Sequence, residues 1–334
     1  MLAVRHTRYG PPELLEVRNV PIPEPGEGRV LVKVRAASVN AADLDGILAR
    51  PAFIRLVFGL RRPRDPSLGV DLAGEVVALG PGTSRFKVGD AVFGDMFAGG
   101  SGAGSFAEYV AVRETALLPK PDWLSFEDAS TLPHSAVLAV QGLRDRSGTT
   151  IGPGGKVLIN GASGNVGPFA IQIAKILGAE VTATARTEKL EFVHSLGADH
   201  VVDFTRQDPA RSGTYDLILD VTARRSVLRW RRALTPNGRY VTLGGSTRLI
   251  VDGMLGALLS KLSRRKSELM LWWKPFRRED VDYVLGLVRE GRLKPVIDRR
   301  FPLAEVPAAL RYLLDGKARG KLVITYPEES RNPG

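Results

Sequence analysis

Two hydrophobic rhythms divide the chain. Up to about residue 124, short apolar runs alternate with turn residues: Leu14 to Val17, Val30 to Val34, Asp71 to Leu79, Val92-Phe93 and Phe106 to Val110. Pro21, Pro23, Pro25 and Gly26, then Gly80-Pro81-Gly82, then Phe86 to Asp90 and the glycine-rich Gly99 to Gly104 separate them. Runs bounded in this way predict strands, and together they predict a compact barrel-like β domain with a short helix at Ala41 to Asp45. From Ser125 the rhythm changes. Ser125 and Asp128 mark a capped helix start. Val157-Leu158-Ile159 reads as a buried parallel strand, and Phe169, Ile171, Ile173, Ala174, Ile176 and Leu177 fall at helical spacing after Pro168. Glu180 to Ala185, Val201 to Asp203, Leu217 to Asp220 and Arg239 to Gly245 read as further strands of one parallel sheet. Amphipathic helices are predicted at Asp280 to Leu287 and within Pro302 to Leu314, and a last strand at Lys321 to Thr325 that returns to the first sheet. The fold class is therefore α/β, with a β-rich domain over 1–124 and 275–334 and a doubly wound parallel-sheet domain over 125–274.

Gly161, Gly164 and Gly167 stand between the strand at 157–159 and the helix after it. Three glycines alone are equally a plain strand-to-helix turn. The second strand, Glu180 to Ala185, completes a βαβ unit and turns the spacing into a phosphate cradle. Gly161 permits the tight turn, Gly164 lets a pyrophosphate approach the backbone and Gly167 lets the helix pack closely. The free N–H groups of the first helical turn then face the anion. After the second strand an NAD site usually places a carboxylate for the ribose hydroxyl. Here stand Arg186-Thr187-Glu188-Lys189. Arg186 suits a 2′-phosphate and Lys189 adds charge, so NADP(H) is the expected cofactor. Two readings compete: Glu188 turned inward onto the hydroxyl, and Arg186 simply solvated.

Charge and composition change little in this picture. The 334 residues carry 47 lysines and arginines against 36 acidic residues, a net charge of +11, with basic clusters at 61–64, 229–232 and 264–266. Such clusters fit nucleic acid or an anionic membrane surface, but no nucleic-acid motif or interleaved aromatic accompanies them, so solvated faces are the reading adopted. The chain has no cysteine, which removes disulfides, thiolate catalysis and Cys-ligated zinc and fits a reducing, cytoplasmic location. No apolar run is long enough to span a membrane. Residues 249–276, rich in leucine and ending in Trp272-Trp273, read either as a flap or peripheral lipid-facing surface, or as a core or homodimer-interface helix.

Four ordered segments resemble the medium-chain dehydrogenase/reductase superfamily: Val39 to Asp43, Leu68 to Val77 with Gly80 to Asp90, Gly161 to Gly167, and Ser195 to Val202. Within it they resemble the zinc-free, zeta-crystallin-like quinone oxidoreductases, and Pro295 to Asp298 with Gly316 to Lys321 resemble the reticulon-interacting-protein-like branch. The resemblance implies a GroES-like catalytic domain and a Rossmann domain with the active site between them. Zinc-dependent members carry Cys where Asn40 stands and Gly-His-Glu where Gly69-Val70-Asp71 stands, and the four-cysteine structural lobe is missing near 95–105, so no metal is expected. The family places an asparagine at Asn40 beside nicotinamide and substrate; the residues read equally as a helix cap. The branch matches Ser163, Asn165, Val166, Arg186, Phe204, Ala318 and Arg319 to cofactor contacts, with Phe204 replacing a tyrosine and Lys317 a histidine. Gly244, at a strand end, is a further expected cofactor contact. The resemblance implies an NADPH-dependent reductase of quinones, enones, aldehydes or similar activated carbonyls. The alternative is a catalytically weak NADPH-binding protein, crystallin-like or a sensor. Homodimers are expected, and no nucleic-acid partner. A short-chain dehydrogenase needs a tyrosine four residues before a lysine, and no tyrosine here satisfies it.

Overall fold

The computed structural model describes residues 1–50, 52–96, 104–144, 150–243, 266–270 and 277–327. Its strands are β1 (Leu2–Arg5), β2 (Glu16–Asn19), β3 (Arg29–Val39), β4 (Asp71–Leu79), β5 (Ala91–Asp95), β6 (Tyr109–Arg113), β7 (Leu117–Pro119), β8 (Lys156–Asn160), β9 (Glu180–Ala185), β10 (His200–Asp203), β11 (Tyr215–Asp220), β12 (Leu234–Leu243), β13 (Lys266–Met270), β14 (Ile297–Pro302) and β15 (Lys321–Thr325).

Strands β8 to β13 form a parallel sheet in the order β10-β9-β8-β11-β12-β13. Counted from β8 this is the doubly wound order, and its winding reverses between β8 and β11, where such sheets open a ligand crevice. The apolar run of β8 has a physical reason. Val157 and Ile159 join Phe169, Ile173 and Val181 in one core, while Leu158 faces Trp230 and Tyr240 in another. A strand covered on both faces has no polar alternation to show. Pro168 opens the helix Gly167–Ile176, and Gly178, at φ +81°, ends the turn after it.

The second sheet runs β14-β15-β3-β4-β5-β7, with β6 also on β3. All its pairs are antiparallel except β14 with β15. As the sequence predicted, β15 returns here, Leu322 opposite Val39. Ser125 caps the helix Phe126–Thr131 by accepting from Asp128 N at 3.0 Å.

Three sequence expectations shift. Pro12 starts a 3-10 turn through Leu14, so β2 begins only at Glu16. The segment 266–270 is the sixth parallel strand, paired with β12. The rest of 249–276, with its flap and interface readings, lies outside the described residues, apart from those five. The helix Arg278–Arg289 puts Val281, Val284 and Leu287 into the core of the parallel sheet. An amphipathic pattern shows that a helix is covered but not by which elements, and this one packs in the core that holds Val157, Phe169 and Val181. Among the described residues, no helix is long and apolar enough to cross a membrane.

Candidate functional site

The cradle forms where β8 meets its helix. Gly161 sits at φ +85°, and a Cβ there would come within 2.5 Å of Thr222 Cγ2. A Cβ on Gly164 would meet only Gly161 O, at 3.6 Å, so the space above this glycine is open to a ligand. At Gly167 a Cβ would fall 2.2 Å from Ala162 O; the close approach is to the turn itself. The backbone N–H groups of Asn165 and Val166 have no acceptor among the described residues, as an anion site requires. The residues present fit a dinucleotide. Beneath the turn, Thr184 Oγ1 accepts from Gly161 N and donates to Asn160 Oδ1, and Asn160 Nδ2 donates to Asp220 Oδ1 and Thr222 Oγ1. This network ties the carboxyl ends of β8, β9 and β11 into one rim.

The expected cofactor residues converge on this rim from both domains. Gly320 N donates to Ser163 O at 3.1 Å, and Asn165 Nδ2 donates to Val39 O. Arg186 is exposed at the end of β9, its Nη2 3.9 Å from where a Cβ on Gly316 would lie. Phe204 N donates to Ala185 O, which sets Phe204 beside Arg186. Lys189 is buried, and its Nζ donates to Gly316 O and Ala318 O, both at 2.6 Å. Arg319 donates from Nη2 to Glu188 O and from its backbone N to Asp298 Oδ2. The 316–320 loop is therefore fastened to the nucleotide side, with Lys189 acting on backbone carbonyls. Gly244 lies outside the described residues.

Under the Val39 and Gly320 contacts lies a buried polar cluster. Lys321 Nζ donates to Asn40 Oδ1 at 2.6 Å and to Ser135 Oγ at 3.0 Å, and lies 3.6 Å from Asp71 Oδ2. Asn40 Nδ2 donates to Ser38 O and to Asp71 Oδ2, at 3.2 and 3.0 Å. Ser38 Oγ also donates to Asp71 Oδ2, and the His134 backbone N to Asp71 Oδ1. His134 Nδ1 stands 3.0 Å from Asp95 Oδ2. Asn40 is 1% exposed with both amide hydrogens engaged, so the donation to an acceptor oxygen expected of it finds no free hydrogen. The capping alternative is met in position: Asn40 is the N-cap of the helix Ala41–Leu48, in a capping box with Asp43, whose Oδ2 accepts from Asn40 N at 2.7 Å. What the geometry gives Asn40 is a place at the centre of the cluster.

Sequence reading missed Lys321, Asp71, Asp95, His134 and Ser135. A lysine opening the apolar run of β15, and a histidine inside Leu132 to Val140, were the available signals.

Residues 26–122 match the alcohol dehydrogenase GroES-like domain and residues 196–324 the zinc-binding dehydrogenase domain. A chloroplastic quinone oxidoreductase of Triphysaria versicolor is 34% identical, covering 97% of this chain and 98% of its own. The chain belongs to the medium-chain dehydrogenase/reductase superfamily. Within it the chain falls in the quinone oxidoreductase branch. An NADPH-dependent alkenal/one oxidoreductase of Arabidopsis thaliana is 32% identical over 98% of this chain and 80% of its own. The quinone oxidoreductase of Coxiella burnetii superposes with a TM-score of 0.85 at 30% identity, covering 97% of this chain and 99% of that one. The chain is thus an oxidoreductase of this superfamily with a nicotinamide-cofactor fold.

The basic group beside Asn40 and Asp71 is the Lys321 side chain. Burial lowers the Lys321 pKa against the opposing pull of Asp71, and burial raises that of Asp71 against the pull of Lys321. Burial also pushes Asp43 up to about 7, opposed by its hydrogen bond from Asn40 N. Asp43 is protonated at acid pH in the folded state while its unfolded counterpart ionises near 4. The folded state then binds the extra proton, so its contribution is complete below about pH 4 and is lost as pH rises to about 7. Asp43→Asn should erase this slope. Melting temperatures taken from pH 4 to 8 should show the variant gaining on the parent up to about pH 7 and then running parallel. A constant offset across that range would show that Asp43 does not titrate there.

Proposed function

We propose that the chain is an NADPH-dependent reductase that passes hydride to a quinone, an enone or a similarly polarised carbonyl compound, without a catalytic metal. The observation that carries this reading is the double clamp of the cradle. Ser163 and Asn165 bond to Gly320 and Val39, the chain neighbours of Lys321 and Asn40. A dinucleotide on the cradle therefore extends toward the cluster. The bound reduced nicotinamide supplies the hydride. Arg186 supports the 2′-phosphate, since no carboxylate ends β9. The cradle N–H groups hold the pyrophosphate, and the cluster fixes the floor on which the acceptor rests.

The metal-free part of the reading is supported by the donor set. Val70 carries no donor atom, Asn40 Oδ1 already accepts from Lys321 and Ser135, and among the described residues no group of three metal-binding side chains is placed to hold an ion. Acceptors whose carbon is already electrophilic suit such a site, and the named activities of the quinone and alkenal/one relatives support that class. To the same proposal belong a homodimer, carried by the apolar segment 249–276, and a reducing, cytoplasmic location, carried by the cysteine-free composition.

A panel of quinones, enones, aldehydes and alcohols with NADPH and with NADH tests the reading. Oxidation of NADPH by quinones or enones, unchanged after dialysis against a strong chelator, is the expected result. Binding of NADPH without turnover of any acceptor would leave the sensor-like alternative, and activity lost to the chelator and restored by zinc would sink the metal-free claim.

A further inference from the structure

We propose that His134, backed by Asp95, is the proton donor of the reaction, a catalytic residue that delivers the proton which must accompany hydride. The proposal rests on the reductase reading above. Hydride transfer alone leaves an enolate or a phenolate, and neither the cradle nor the Lys321 cluster offers it a transferable proton at an open position. Lys321 and Asp71 have side chains 1% and 0% exposed, and Asp43 is sealed beneath Asn40. His134 is different. Its side chain is 11% exposed, and Nε2 has no hydrogen-bond partner among the described residues.

Its position is fixed from several sides. The ring projects from the π-helical turn Leu132–Ala136. Its backbone N donates to Asp71 Oδ1 at 3.1 Å, and Asp71 Oδ2 accepts from Asn40, so one carboxylate separates the histidine from Asn40. The next residue, Ser135, donates to Asn40 Oδ1 at 3.1 Å. Val39, preceding Asn40, carries the cradle contact to Asn165. The imidazole thus stands beside the floor toward which a cradle-bound dinucleotide extends. Nδ1 faces the Asp95 carboxylate at 3.0 Å, which selects the Nδ1–H form and holds the ring by the edge away from Nε2.

The charges around the ring come from four elements: Asp95 from β5, Asp71 from β4, Lys321 from β15 and Asp43 from the helix Ala41–Leu48. Burial lowers the His134 pKa and Lys321 adds to that, but Asp95 and Asp71 outweigh both, and the net shift is upward. The protonated ring is thereby favoured over that of a free imidazole, and in that form it carries Nδ1–H on Asp95 and Nε2–H toward the open side. As two electrons arrive with hydride at the acceptor carbon, the π pair moves onto the acceptor oxygen. The Nε2–H bond breaks with its electron pair left on nitrogen, and an O–H bond forms. The acceptor is reduced by one hydride and one proton, the dinucleotide is oxidised, and neutral His134 regains a proton from water at its exposed edge.

The chain has four histidines, so their imidazole resonances can be followed individually by nuclear magnetic resonance in the cofactor-free protein. The resonance absent from His134→Gln should titrate above the unperturbed midpoint near ~6.5, and in Asp95→Asn it should titrate lower. With NADPH and a quinone or enone, turnover should be flat at low pH and fall as pH rises through the same midpoint. Asp95→Asn should move that fall to lower pH. His134→Gln should abolish it and cut turnover by roughly 10²- to 10⁴-fold. A His134 midpoint at or below the unperturbed value, or a His134→Gln enzyme with turnover and profile unchanged, overturns the proposal. If His134→Gln does not fold, Asp95→Asn decides, and an unshifted fall counts against the dyad. Failure of the reductase reading is separate: the parent protein would oxidise no NADPH, while the titration would still report the dyad.

Discussion

Lys321→Met is expected to lower stability by about 3–5 kcal/mol, the range for removing one partner of a buried ion pair. The ammonium is enclosed by Asn40 Oδ1, Ser135 Oγ and Asp71, with no solvent to take its place. Methionine fills the volume but leaves Asp71 as a buried carboxylate and Asn40 Oδ1 with Ser135 alone. The double variant Lys321→Met, Asp71→Asn should recover part of the loss, because the uncompensated charge is gone and an amide oxygen can still accept from Ser38. Denaturant unfolding of the parent, both single variants and the double variant measures the coupling. If the single lysine variant lies within 1 kcal/mol of the parent, the cluster does not hold the charges assigned to it. Asn40 enters through the same network: Asn40→Ala removes two donors and one acceptor from a sealed site, and its effect on stability should exceed the ~1 kcal/mol of a lost helix cap.

Arg186→Ala should raise the KM for NADPH by roughly 10- to 100-fold, the equivalent of a charge-assisted hydrogen bond of about 1.5–3 kcal/mol, and leave that for NADH nearly unchanged. The guanidinium is exposed beside the 316–320 loop, where a 2′-phosphate on a cradle-bound dinucleotide would meet it. Equal losses with both cofactors would mean that Arg186 merely stacks on adenine or supports the loop. Lys189 offers an internal contrast. Its ammonium already serves Gly316 O and Ala318 O, so Lys189→Met should loosen the loop and weaken both cofactors alike.

The cradle was legible because its physics is local. Glycine spacing, an apolar run before it and a proline-opened helix after it all lie within one βαβ unit, and Gly161 and Gly167 indeed stand where a side chain would collide. The cluster was not legible, because its partners are scattered. Lys321 meets Asn40 across 281 positions, and His134 meets Asp95 across 39. Nothing in the neighbourhood of either residue announces the other. Lys189 shows the intermediate case: the sequence marks a cation near a phosphate site, yet only the fold reveals that two carbonyls from the 316–320 loop engage it first. The helix Arg278–Arg289 was recognised as amphipathic, but its assignment to the parallel sheet required the packing of Val281 and Val284.

The fastening of the 316–320 loop to Ser163, Glu188 and Lys189 also bears on how such proteins can be recombined. A hybrid that takes residues 125–295 from a relative would inherit one half of this joint and keep the other. Backbone carbonyls and a lysine are permissive partners, but the loop also sets Gly320 under the cradle and Lys321 in the cluster. Exchange at 125 and 295 together with residues 316–320 moves the loop's contacts to Ser163, Glu188 and Lys189 as one piece and leaves Lys321 with Asn40 and Asp71. The unit that carries the cradle with its fastening is therefore discontinuous in sequence, a parallel sheet plus the loop 316–320 borrowed from the chain beyond it.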